Sequence, residues 1–133
     1  MNYCLLCAKC CAQTEMLLSN EDIKRITSHI HQPRQKFSYI RDGYVFLKNE
    51  NRYCVFLDLE TKKCSIYEIR PVGCRFYPII YNPYTKRCVI DRDCSNKNNI
   101  PKKLIESLCP DLRKFIFLLE EERNTRLKVK LRE

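Results

Sequence analysis

The spacing of hydrophobic and polar positions separates two helical ends from a strand-rich middle. Near the N-terminus, Ile23, Ile26 and Ile30 recur at helical spacing. Ser19 precedes them and is a favourable N-cap residue. Pro33 disfavours helical geometry in the residue before it, so the helix should end by residue 32. The pattern therefore predicts one amphipathic helix that begins after Ser19.

The middle of the chain favours short strands joined by turns. Aromatic residues flank Asp42-Gly43, which is a strong hairpin-turn dipeptide. Asn82-Pro83 is a similar turn signal between two further apolar runs. The predicted strands are those of a hairpin within residues 37–48, a strand at 53–59, and a second hairpin that joins 77–81 to 87–91.

From Pro101 onward the apolar positions return to helical spacing. Pro110 predicts a division into two helices, because proline is well placed at the first position of a helix. The charged stretch from Arg123 to Glu133 is interpreted as a solvated helix end, with docking on another surface as the less favoured alternative. The apolar stripe consists of Leu104, Ile105, Leu108, Leu112, Phe115, Ile116 and Leu119.

These elements together predict an α+β fold. We expect a small metal-stapled β core, with one helix before it and helices after it. The length of 133 residues suits a single domain, 1–133, with its helical extension at 101–133.

Four cysteines at the start of the chain form the pattern C-x-x-C-x-x-C-C: Cys4, Cys7, Cys10 and Cys11. A C-x-x-C step lets one short loop direct two sulfurs at the same metal. Cys4, Cys7 and Cys10 can therefore serve one centre. Side chains of adjacent residues diverge, so Cys11 would bridge a cluster or serve a second site. Disulfides or buried thiols are the alternative that this spacing favours less.

Six further cysteines are spaced singly along the chain. A closed zinc site and an iron–sulfur cubane each need four protein ligands, so at least one ligand must come from this set. One cluster with spare thiols and two separate centres both remain open. The six are Cys54, Cys64, Cys74, Cys88, Cys94 and Cys109.

The N-terminal spacing favours an iron–sulfur cluster, [4Fe-4S], over Zn²⁺. Three thiols in successive C-x-x-C steps, with the fourth ligand remote, are typical of bacterial ferredoxins. Zinc sites more often combine two separated C-x-x-C pairs, and this chain has no second pair. Zn²⁺ remains the alternative cofactor.

The composition predicts the cellular compartment and the class of partner. No apolar run approaches the length of a membrane span, and no secretory signal is evident, so we expect a cytoplasmic protein. Cytosolic disulfides are rare outside hyperthermophiles, which favours metal ligation. The net charge of +9 suggests nucleic acid as a partner. Eight thiolates on two zinc ions would offset it by about −4.

The ordered motifs resemble the zinc- or iron-chelating CxxCxxCC family, also called YkgJ-like, over residues 4–94. The resemblance rests on the N-terminal cysteines, Cys54-Val-Phe-Leu, Cys64-Ser-Ile-Tyr-Glu and Arg70-Pro-x-x-Cys74-Arg-x-x-Pro. At position 94 the usual Pro-Gly is replaced by Ser95-Asn96, and Cys88 and Cys109 lie outside the pattern. The resemblance implies the metal ligands Cys4, Cys7, Cys10, Cys11, Cys54, Cys64, Cys74 and Cys94.

Arg70 and Arg75 flank Cys74 and are candidate cofactor-binding residues. A cluster held by thiolates is net negative, so guanidinium donors nearby would stabilise it. The equally weighted alternative is that Arg70 pairs with Glu68 or a backbone carbonyl and locks the turn.

Three functions follow from these features. The favoured one is a metal- or cluster-binding module without its own catalytic site, which acts in electron transfer, in cluster handling or as a partner module. We expect a protein partner. The second is a component of a protein lysine methyltransferase, because the family includes the flagellin lysine N-methylases. Only Gly43 and Gly73 are present, which excludes a glycine-rich nucleotide loop. The third is a zinc-stapled nucleic-acid-binding module, since residues 86–103 hold six basic and two acidic residues.

Overall fold

A computed structural model describes residues 15–91 and 97–132 of the chain. The predicted ligands Cys4, Cys7, Cys10, Cys11 and Cys94 lie outside these ranges. Within them, no helix has both the length and the apolar character that a membrane crossing requires.

The predicted N-terminal helix is present as α1 (Asn20–Ile30). Its start is fixed by a reciprocal pair of hydrogen bonds. Ser19 Oγ accepts from the Asp22 N–H at 3.1 Å, and Asp22 Oδ2 accepts from the Ser19 N–H at 3.0 Å. The helix ends where His31 adopts the left-handed conformation, with φ of 56°.

Within the described ranges, eight short strands form four antiparallel pairs in sequence order. In the first hairpin, Asp42 and Gly43 both have positive φ, as a two-residue type I′ turn requires. Both predicted hairpins are confirmed, whereas the predicted strand at 53–59 is divided between two pairs. The strands are β1 (Ser38–Arg41), β2 (Tyr44–Leu47), β3 (Asn49–Glu50), β4 (Tyr53–Cys54), β5 (Leu57–Asp58), β6 (Lys63–Cys64), β7 (Ile79–Asn82) and β8 (Arg87–Ile90).

The core lies between α1, the β1–β2 hairpin and the segments that carry β3 to β6. Residues 16–18 pair with β2, since the Leu47 N–H donates to the Met16 carbonyl and the Leu18 N–H donates to the Val45 carbonyl. This pairing joins the stretch after the N-terminal cysteines to the core. The buried cluster contains Leu18, Ile23, Ile26, Phe37, Val45, Leu47, Cys54, Phe56, Ile66 and Tyr77.

Helix α3 (Lys102–Arg132) is continuous, with Pro110 inside it. The predicted division at Pro110 is therefore not observed. Proline removes one helical hydrogen bond, at a cost of about 3 kcal/mol or more. Burial of Leu112, Phe115 and Leu119 beyond the proline favours continuing the helix along one apolar stripe.

The C-terminal half of α3 is docked, which corrects the expectation of a solvated end. Arg123 Nε donates to the Asp42 carbonyl at 2.8 Å, and Arg126 Nη1 donates to the Gly43 carbonyl at 3.0 Å. The Arg123 guanidinium also lies over the Tyr44 ring, 4.8 Å from its centroid. The turn of the first hairpin supplies these carbonyls, so the charged helix end binds backbone acceptors that the sequence pattern did not reveal.

Candidate metal centre

Three of the eight predicted metal ligands lie in the described part of the chain: Cys54, Cys64 and Cys74. Cys54 lies in β4 opposite Asn49 and is only 6% exposed. Cys64 lies in β6 opposite Leu57 and packs, half-buried, against the same core cluster. The second strands of two successive small hairpins thus bring both thiols to the same core cluster.

Cys74 lies on the short helix α2 (Val72–Phe76), which follows a 3-10 turn at Tyr67–Ile69. The fully buried Asp22 of α1 holds the start of α2, because its Oδ1 accepts from the Val72 N–H at 3.1 Å. Arg25 donates from Nε to the Ile69 carbonyl at 3.2 Å and from Nη2 to the Arg70 carbonyl at 3.1 Å. Helix α1 therefore positions the backbone that carries Cys74.

A close contact joins the residue before Cys74 to the segment that follows the N-terminal cysteines. A Cβ atom added to Gly73 would overlap Met16 Sδ, so only glycine permits this approach. Met16 is five residues after Cys11, a span of at most about 18 Å when extended. The chain leading from the C-x-x-C-x-x-C-C loop therefore passes beside Cys74.

Arg70 and Arg75 differ in their surroundings. Arg70 Nη1 donates to the Tyr67 carbonyl at 2.8 Å, and its guanidinium stacks 4.1 Å from the centre of the Tyr67 ring. These contacts match the alternative in which Arg70 locks the turn through a backbone carbonyl. Its Nε is buried and finds no hydrogen-bond acceptor among the described residues. Arg75 is exposed.

The two cysteines outside the family pattern are joined to each other. Cys88 in β8 and Cys109 in α3 form a disulfide with Cα atoms 5.8 Å apart. No spacing motif predicts this pair, since the two cysteines are 21 residues apart.

Other potential ligands do not assemble in this part of the molecule. Within residues 15–91 and 97–132, no three Cys, His, Asp or Glu side chains are grouped so as to hold a metal ion. His29 and His31 are both exposed at the end of α1. A complete centre would therefore need thiols from the N-terminal loop or Cys94, as the ligand count from the sequence requires.

The role of Asp22 in joining α1 to α2 was not predicted from the sequence. Ser19-x-x-Asp22 resembles a capping box, and that motif could have identified the Ser19 contact. No local signal links Asp22 to Val72, 50 residues away.

The family comparison agrees with the cysteine pattern. A family model described as "Putative zinc- or iron-chelating domain" matches residues 3–110. The chain belongs to the CxxCxxCC family. Membership supports metal binding through a cysteine cluster and leaves both zinc and iron open. The CxxCxxCC match extends beyond residue 94 into the first turns of α3, and it includes both Cys88 and Cys109.

Among curated proteins, the chain is 35% identical over 81 residues to an uncharacterized protein of Methanocaldococcus jannaschii. The alignment covers 57% of this chain and 43% of that relative, so the chain matches less than half of the relative's length. No solved structure matches the chain significantly.

Proposed function

We propose that the protein holds a [4Fe-4S] cluster through cysteine thiolates and acts with a protein partner in electron transfer or cluster handling. Cys4, Cys7 and Cys10 would supply three ligands, and Cys74 is the strongest candidate for the fourth. Cys11, Cys54, Cys64 and Cys94 remain candidates to bridge the cluster or to form a second centre. When bound, the cluster would supply one-electron chemistry.

The contact between Met16 and Gly73 carries this proposal. Met16, five residues after Cys11, lies against the residue before Cys74, and a chain of five residues spans at most about 18 Å. This supports a centre that the loop thiols and Cys74 would share. The all-sulfur donor set suits iron–sulfur clusters and zinc, and it leaves no open position of the kind a zinc hydrolase needs.

The buried Nε of Arg70, which has no acceptor among the described residues, is consistent with a negatively charged centre beside Cys74. A buried donor without an acceptor costs about 1–3 kcal/mol. A thiolate or sulfide sulfur would accept from Arg70 Nε and remove that cost, and such hydrogen bonds also tune a cluster. The stack on Tyr67 would hold the guanidinium in place for this contact. Arg75, which is exposed, would contribute through its charge alone.

Anaerobic purification, followed by a visible spectrum and elemental analysis, tests the proposal. We expect a brown protein with a broad thiolate-to-iron charge-transfer band and about four irons and four sulfides per chain. Cys7→Ser and Cys74→Ser should each lose the band, whereas Cys109→Ser should retain it. A colourless protein that binds zinc at full occupancy would refute the cluster, and a fully loaded Cys7→Ser protein would refute the N-terminal ligand assignment.

The tip of the second hairpin favours a second candidate function, a zinc-stapled module that binds single-stranded nucleic acid. Tyr84 is 95% exposed there, and Lys86 and Arg87 beside it are exposed as well. Arg113 from α3 joins them, since its Nη2 donates to the Lys86 carbonyl at 3.0 Å. An exposed aromatic ring among cations is suited to stack a base beside bound phosphates.

Fluorescence anisotropy with a labelled single-stranded oligonucleotide tests this second function. Binding should weaken steeply with added salt, and Tyr84→Ala should weaken it further by a salt-independent amount. Glu60→Ala, an exposed substitution on another loop, is the control. Absence of binding at low salt would exclude the function.

A further inference from the structure

The Cys88–Cys109 disulfide joins the second hairpin to the first turns of α3. Cys88 lies opposite Tyr81 in the hairpin, and Cys109 directly precedes Pro110. Both cysteines are half-buried, so a small thiol reagent can reach the bond.

The helical segment held by this bond has few other constraints. Residues 102–109, here called the latch segment, are all described, and none of their side chains is buried. Pro110 has no N–H, so the Glu106 carbonyl lacks its helical partner. Beyond the proline, by contrast, Leu112, Phe115 and Leu119 are buried, and Phe115 lies 6.3 Å from Phe76 between ring centres. The disulfide therefore holds a part of α3 in which no side chain is fully buried.

We propose that Cys88–Cys109 is a reversible thiol–disulfide site. In its oxidised form it holds the latch segment against the β7–β8 hairpin. A thiol reductant, such as reduced glutathione, would attack one sulfur through a mixed disulfide. A second reductant thiol would then resolve it. Overall, two thiols are oxidised to one disulfide, and the Cys88–Cys109 bond takes up two electrons and two protons to become two thiols.

Reduction should free the latch segment to open about Pro110. The disulfide closes a loop and so restricts the open state. The population of the open form should therefore rise on reduction by up to roughly 300-fold. Lys102 and Lys103 are exposed trypsin sites within the segment. When opening is fast relative to cleavage, the cleavage rate follows the population of the open form.

The test uses the full-length, metal-loaded protein equilibrated anaerobically with oxidised or reduced glutathione. Alkylation and peptide mapping should find Cys88 and Cys109 linked in the first condition and both alkylated in the second. Trypsin should cleave after Lys102 and Lys103 at least about tenfold faster in the reduced protein. Metal content should be equal in both.

Two variants separate the latch from general destabilisation. Cys109→Ser should be cleaved rapidly in both conditions and should not respond to glutathione. Ser107→Ala, an exposed change in the same segment, should keep the full redox response. Three outcomes would each overturn the proposal. The linked peptide could fail to form, trypsin could cleave the oxidised and reduced protein at the same rate, or Cys109→Ser could lose its metal. None of these results depends on whether the metal is iron or zinc.

Discussion

Asp22→Asn tests whether helix α1 holds the backbone that carries Cys74. The Asp22 carboxylate is fully buried and accepts three hydrogen bonds: from Arg25 Nη2 at 2.6 Å, the Ser19 N–H at 3.0 Å and the Val72 N–H at 3.1 Å. An asparagine amide has one oxygen, so in either orientation at least one of these donors faces an NH₂ group.

The expected loss follows from these contacts. A buried N–H left without an acceptor costs about 1–3 kcal/mol. The charge interaction with Arg25 adds less than about 1 kcal/mol, because the arginine side chain is 29% exposed and solvent screens it. Asp22→Asn should therefore lower the free energy of unfolding by about 1–4 kcal/mol, which is a large share of the stability of a small domain.

Urea unfolding followed by far-UV circular dichroism measures this loss, with the metal content of each sample determined in parallel. Glu21→Gln is the matched control, since Glu21 is an exposed acid in the same helical turn and should change stability by less than about 0.5 kcal/mol. An Asp22→Asn protein as stable as the control would refute the inferred link between α1 and α2.

Three further predictions concern the contacts around the glycines and Tyr44. Gly73→Ala should displace Met16, because the added Cβ would overlap Met16 Sδ. A double-mutant cycle with Met16→Ala, measured by urea unfolding, should give a coupling free energy of at least about 0.5 kcal/mol. Additive effects of the two substitutions would contradict the contact. Gly43→Ala should lower the free energy of unfolding by about 1–2 kcal/mol, because the φ of Gly43 is 82°. It should also raise the rate of amide hydrogen exchange in α3, because the added Cβ would lie 2.9 Å from Arg123 Cγ. An unchanged exchange rate would contradict this prediction. Burial, then the hydrogen bond to Glu120, raises the pKa of Tyr44 above 10.0. The free energy of unfolding that Tyr44 contributes is therefore present below pH 10.0 and is lost as pH rises through the folded-state pKa. Tyr44→Phe should reduce this loss when the free energy of unfolding is measured against pH. The same pH dependence in the variant and the original protein would contradict the prediction.

Local signals predicted the elements that depend on local chemistry. Ser19 marked the start of α1 because an N-cap acts within one turn, and Asp42-Gly43 marked a hairpin because that turn needs positive φ at both residues. Pro110 was misleading, because the buried stripe beyond it favours a continuous α3. Docking of Arg123 on the Asp42 carbonyl, 81 residues away, has no local signal at all.

The candidate centre likewise combines features that local sequence predicts with features that depend on distant contacts. The identity and spacing of the thiols indicate metal, because a C-x-x-C step is a local device. The Met16–Gly73 approach and the Asp22 contact to Val72 depend on packing between distant segments. These contacts place the helix that carries Cys74 beside Met16 and Asp22, and no pattern within either segment encodes them.

The structure also suggests why the thiols lie where they do. Between residues 49 and 76 the strands are two residues long, and the buried side chains are Cys54, Phe56, Ile66 and Pro71. Pairs of such short strands are marginally stable in water without additional packing. Metal binding contributes directly to folding where ligands come from separate segments. The three cysteines of this stretch, Cys54, Cys64 and Cys74, lie on three separate elements. Binding even some of them to one centre would therefore stabilise a stretch of the chain that has few buried side chains.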